Sequence, residues 1–168
     1  MRMKLFVPFA MAASVFATSP SIAGGVNSDD AEQIVKDATK GEFSLSIWAG
    51  MHSWETVDLN DDGNLDFVGL VQKSKQKETN PTHILVVHGK SKEAKFKEFL
   101  TKNVIELDQG IPADSPESFV VETDKKILKR AQCSSNVAIK MVEEASTAFF
   151  LCYEKGMYQF TRDPNDTP

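Results

Sequence analysis

From Phe43 onward apolar side chains recur at every second position, and this period restricts the fold more than any other feature of the chain. In FSLSIW, Phe43, Leu45 and Ile47 alternate with serines, as in a strand with one buried face. Further runs of the same kind occupy residues 53–59, 82–89, 118–123, 136–144, 147–154 and 157–163. The run DFVGLV at 66–71 is apolar on both faces, which predicts a strand in the middle of a sheet. KILKRA, separated from SFVVET by Asp124 and Lys125, reads as the return strand of a hairpin. Gly156, between the last two runs, supplies a turn residue able to take positive φ. No helical pattern alternates with these strands, so a parallel α/β sheet is excluded.

One helix is expected ahead of the strands. Ser28 can cap it, Asp29, Asp30 and Glu32 suit the positive end of its dipole, and Gly41 stops it. Ala31, Ile34, Val35 and Ala38 form a narrow apolar stripe, as in a surface helix laid on something larger. Between residues 90 and 114 the signals conflict. Phe96, Phe99 and Leu100 have helical spacing, whereas NVIEL looks extended. The expected fold class is α+β, mainly β: an antiparallel sheet or small sandwich of about seven or eight strands with an N-terminal helix.

Residues 1–23 read as a secretory leader. Arg2 and Lys4 precede a short apolar stretch, Pro20 follows, and Ser21 and Ala23 are the small residues expected before a cut at Gly24. The apolar stretch is shorter than the roughly 20 residues that span a bilayer. Residues 24–168 then form a single exported β-rich domain, periplasmic or secreted, with no later membrane span. Losing the leader leaves 17 of the 19 basic residues against 24 acidic, a net charge near −7. That sign disfavours nucleic acid and anionic membrane surfaces as partners. Cys133 and Cys152 are the two cysteines of the chain, and in an oxidising compartment such a pair reads as a disulfide.

The chemistry concentrates in VDLNDDGNLD, at 57–66. Numbered from Asp58, oxygen-bearing side chains fall at positions one (Asp58), three (Asn60), five (Asp62) and nine (Asp66), with Gly63 at six and Asn64 at seven. Calcium takes six to eight hard oxygen ligands from carboxylates, amides, carbonyls and water. Alternate residues of a tight loop can converge, and the glycine permits the turn that brings the Asn64 carbonyl and Asp66 back. Leu65 is the expected apolar anchor and Asp61 is expected to face solvent. The alternative is a polar hairpin turning at Gly63 and Asn64. An EF-hand is excluded, because position twelve is Gly69 rather than glutamate and the flanks are strands.

The spacing resembles the strand–loop–strand calcium loop of FG-GAP/VCBS-type repeats, matching all four ligand-type positions, the glycine and the apolar strand behind it. The resemblance covers about 20 residues and implies a loop type and a Ca2+ cofactor, not a propeller. A single such loop after an exported leader, with closing pieces like AFFLCYEKGMYQFTRD, is similar to small bacterial exported proteins. The DLN.DG..D.V core also looks like that of periplasmic carbapenem intrinsic resistance factors, although the Arg-x-Asn stretch of those proteins is missing after the loop.

No nucleophile elbow, zinc-protease helix, P-loop or dinucleotide fingerprint occurs. His83 and His88, five residues apart on one strand, point to opposite faces. His52 reads as a turn histidine beside Trp54, and Trp48 and Trp54 read as core. Two functions from different classes follow. One is a non-catalytic calcium-stabilised binding protein, an inhibitor or immunity-type partner of an envelope or cell-wall enzyme. The other is a hydrolase of envelope polysaccharide or peptidoglycan using Glu106, Asp108 and Glu122.

Overall fold

A computed structural model describes residues 26–46, 53–75, 83–107, 116–143 and 148–162. The leader, Trp48, His52 and Asp108 lie outside these residues. Among the described residues the chain is mainly β, with nine strands in two antiparallel sheets. Helix α1 (Ser28–Thr39) comes first, followed by β1 (Phe43–Leu45), β2 (Trp54–Val57), β3 (Asp66–Lys73), β4 (His83–Gly89) and β5 (Phe99–Glu106). The second sheet holds β6 (Pro116–Glu122), β7 (Ala138–Glu143), β8 (Ala148–Glu154) and β9 (Met157–Arg162), with a short helix α2 (Lys125–Arg130) between β6 and β7.

The first sheet runs β1-β3-β4-β5, with β2 also paired to β3 beyond β1. The doubly apolar run is therefore central, as expected: β3 pairs with β1, β2 and β4. Its two faces feed two cores, because side chains alternate across a strand. Phe67 and Val71 join Leu85, Val87, Phe43 and Leu45 beneath the Ala31, Val35 and Ala38 stripe of α1. Val68 and Leu70 join Ile84 and Val86 on the opposite face and meet Phe119, Ile139, Met141 and Leu151 of the second sheet. The molecule is thus a helix on a sheet on a sheet. The second sheet is a plain meander, β6-β7-β8-β9.

Several local expectations need correction. KILKRA is helical and does not return as a strand. The Asp124 carboxylate caps it by accepting from the Lys126 N–H at 2.7 Å, and Leu128 is its buried residue. A cap plus one apolar face outweighs a run too short to show a clear period. Asn27 rather than Ser28 caps α1, accepting from the Asp30 N–H. In the 90–114 span the extended reading of NVIEL holds, and β5 begins already at Phe99. The β8–β9 turn places both Lys155 and Gly156 at positive φ, the two-residue hairpin geometry whose twist matches the flanking strands. Trp54 belongs to the helix-side core and its indole donates to the Val26 carbonyl at 3.0 Å.

Candidate functional site

The acidic loop joins β2 to β3 and folds on its own carboxylates. Asp58 accepts from two backbone N–H groups, Asp62 at 3.0 Å and Gly63 at 2.8 Å, one on each oxygen. The Asn60 amide oxygen accepts from the same Asp62 N–H at 3.1 Å. Asp62 in turn accepts from the Asn64 N–H at 2.7 Å and from the Asn60 amide nitrogen at 3.1 Å. Short polar side chains that bond backbone a few residues ahead are what bend such a loop. Gly63 at φ 85° makes the sharp turn, and Asp61 takes φ 59°, a region that aspartate tolerates better than most residues.

The carboxylates feel one another. Burial pushes the Asp58 carboxyl above its ordinary range, and the charges on Asp62 and Asp66 push it further. The Gly63 and Asp62 N–H groups pull it back. Among the described residues, no three His, Cys, Asp or Glu side chains are grouped to hold a metal ion. The oxygens that do converge are those of Asp58 and Asn60, which meet at the Asp62 N–H.

Asp66 sits apart from this group. It is fully buried, at 0% exposure, opposite His88 in the β3–β4 register. One carboxylate oxygen accepts from the Leu59 N–H at 3.0 Å. The other faces His88 Nδ1 at 3.1 Å and the Gly89 N–H at 3.3 Å. In the tautomer whose Nδ1–H donates to the carboxylate, Nε2 is free to accept from the Tyr158 hydroxyl, 2.9 Å away. In the other tautomer Nδ1 accepts instead from Asn60 Nδ2, 3.0 Å away. His88 is 5% exposed and stacks on Tyr158, with Tyr153 against both rings. Burial drives the Tyr158 phenol far above its usual range, with the negative charge of Asp66 adding to the effect, so the hydroxyl stays a donor.

The loop therefore spans the two sheets at two points. The first is the buried chain Asp66–His88–Tyr158, which runs from β3 through β4 to β9. The second is Asp61, whose carboxylate accepts from the Asn136 amide at 3.0 Å, just ahead of β7. Asp61 was expected to face solvent; it is exposed, yet it bonds a residue 75 positions away. Leu65, half-buried, packs on the helix-side core, and its N–H bonds the Ser91 carbonyl at 2.9 Å. Gly89 is required there, because a Cβ at that position would collide with the Leu65 carbonyl oxygen.

Of the residues singled out in the sequence, Asp58, Asn60, Asp62 and Asn64 share the loop's turn and Asp66 anchors its base. His83 and His88 do face opposite ways: His83 packs edge-on to Phe43 on the helix side, where burial lowers its pKa. Cys133 and Cys152 are at disulfide-bonding distance with Cα atoms 5.6 Å apart, and both are buried. Glu106 ends β5 and Glu122 ends β6, in different sheets, and the Glu122 carboxylate accepts from the Thr123 and Asp124 N–H groups. Sequence reasoning missed Tyr158, Tyr153 and Asn136. The available signal was His88 itself, a titratable residue next to the buried apolar run Ile84–Val87.

No protein-family model matches the chain, and no curated protein or solved structure is similar enough to it to count as a relative.

Proposed function

We propose that the chain is a non-catalytic, exported binding domain stabilised by Ca2+ at the 58–66 loop. Its proposed partner is an envelope or cell-wall enzyme, met in the manner of an inhibitor or immunity protein. The observation that carries the calcium reading is the convergence of the Asp58 and Asn60 oxygens on the Asp62 N–H, at 3.0 and 3.1 Å. Asp62 and the Asn64 carbonyl complete a set of hard oxygens of the kind calcium takes. Mutual repulsion in this cluster is relieved by a cation. Asp66, held by three protein donors, fixes the loop's return to β3. An ion bound there would stiffen a loop tied to both sheets and leave the sheet faces to present a fixed surface. The acidic net charge, −5 for the whole chain, suits electrostatic steering toward a basic site.

The decisive experiment is calorimetric titration of chelator-stripped protein with calcium, with magnesium as the control. Uptake near one ion per chain that is lost in Asp58→Ala supports the reading. Absence of heat together with an unchanged melting temperature overturns it and leaves a self-bonded polar hairpin. Capture of an envelope enzyme in calcium but not in chelator would extend the result to the partner.

A further inference from the structure

The free edge of the first sheet has a pattern that its neighbours lack. Strand β5 is eight residues long and pairs only with β4; among the described residues nothing pairs with its outer edge. Its residues are exposed along almost their whole length, and two of them are large and apolar, Leu100 at 55% and Val104 at 39%. Natural edges are guarded by lysine and other charges, proline or bulges; on this strand the charges of the helix-side face are of opposite sign, Lys102 and Glu106. Here the one bulge lies at the start, opposite His88 and Gly89.

Lys102, Val104 and Glu106 share one face, the face of Leu85 and Val87 under α1. Lys102 confirms that placement by donating to the Ala38 carbonyl at the end of α1. The order along that face is basic, apolar, acidic. Reversed against itself about Val104, it sets Lys102 opposite Glu106 and Val104 opposite its own mate.

We propose that β5 is a homodimer edge, pairing antiparallel with β5 of a second copy about a two-fold axis through Val104. A continuous sheet that keeps α1 on the same side of both copies requires like-facing residues opposite one another. Centres on Thr101 through Ile105 satisfy this within the strand, and the two outermost set a charge against an apolar residue, Lys102 against Leu100 or Glu106 against Val104. Centring on Lys102 sets two ammonium groups against each other, and like charges directly opposite are unfavourable. Centring on Asn103 sets Lys102 against Val104 and leaves Glu106 facing Leu100. Centring on Val104 sets Val104 on its own mate and makes two Lys102–Glu106 cross-strand pairs, one on each side of the axis. That register uses every charge on the face, so the chemistry of the occupant is that of this strand itself. The contact is strand addition, in which backbone groups supply the attraction and side chains the register.

The test uses the full chain. Val104→Cys brings its thiol to its own mate at about 4.5–5.5 Å between Cβ atoms, close enough to bridge under mild oxidation. Leu100→Cys places the two thiols about 26 Å apart. A covalent dimer from Val104→Cys and none from Leu100→Cys or Lys102→Cys supports the register. Sedimentation of the disulfide-intact, unmutated protein should show a dimer whose dissociation constant rises about tenfold in Lys102→Glu and again in Glu106→Lys. The double exchange Lys102→Glu with Glu106→Lys should restore it. The melting temperature of every variant is measured at concentrations where the chain is monomeric, so that loss of the Lys102 bond to the Ala38 carbonyl is counted apart from loss of the dimer. Monomer at every concentration, equal cross-linking at Leu100, or a double exchange that does not recover would each overturn the proposal. Restored pairing by an added extended peptide, with no self-association, would assign the edge to a different partner and overturn it likewise.

Discussion

The two sheets are closed by opposite means. The second is stapled by a covalent bond, Cys133–Cys152, buried among Leu128, Ala131 and Phe150. The first is held to its own acidic loop, and through it to the second sheet, by a buried carboxylate and a histidine. A disulfide acts mainly on the unfolded chain, whose freedom it restricts. A buried carboxylate acts on the folded chain, where three donors depend on it for a partner. The lesson is that a small sandwich carries two kinds of cross-link that fail under different conditions, reducing agent for one and loss of an acceptor for the other.

The sharpest way to break the comparison is Asp66→Ala. It leaves the Leu59 and Gly89 N–H groups and His88 Nδ1 without an acceptor inside the protein. Each buried donor left without an acceptor costs about 1–3 kcal/mol, so the three together cost about 3 kcal/mol or more. Urea unfolding in chelator should show a loss of that size, because the anchor needs no metal. Asp58→Ala, measured in parallel, should lose far less in chelator and more in calcium. Equal losses for the two variants in chelator would place Asp66 among the ordinary loop carboxylates and remove the distinction between anchor and turn.

The disulfide comes next. With the cysteines 19 positions apart, cross-linking restricts the unfolded chain by about 3 kcal/mol. Cys133→Ser with Cys152→Ser should lower stability by about that amount in non-reducing urea, and reductant should then have no further effect on the variant. If the double variant retained its midpoint, the staple would be redundant with the β7–β8 pairing. The comparison between the sheets would then reduce to one cross-link.

How much of this was legible in the sequence depends on the range of the interaction. Strand period, the central place of the 66–71 run, the cysteine pair and the opposed histidines are local or compositional, and all appear in the fold. KILKRA misled because six residues carry too little period to separate strand from helix, and the Asp124 cap that decides it is a single side chain. The loop's turn residues were readable from spacing alone. Its anchor was not: Asp66 looks like a ninth-position ligand in sequence, and only the β3–β4 register sets it against His88. Tyr158 was beyond reach altogether, since its bond to His88 joins residues 70 apart in different sheets.

The smallest effect concerns that last bond. Tyr158→Phe keeps the ring, its stacking on His88 and its contact with Tyr153, and removes only the hydroxyl. His88 Nε2 is then a buried acceptor without its donor, a loss of about 1–2 kcal/mol. If the chain Asp66–His88–Tyr158 acts as a unit, the loss should largely vanish in an Asp66→Ala background. With its acceptor gone, the imidazole is no longer held to one tautomer or one orientation. A double-mutant cycle in chelator therefore separates two pictures. A coupling energy close to the full single-mutant loss makes the loop and the second sheet one cooperative element through His88. Simple additivity makes Tyr158 a local contact, and Asp61–Asn136 would then be the remaining polar tie found here between the loop and that sheet.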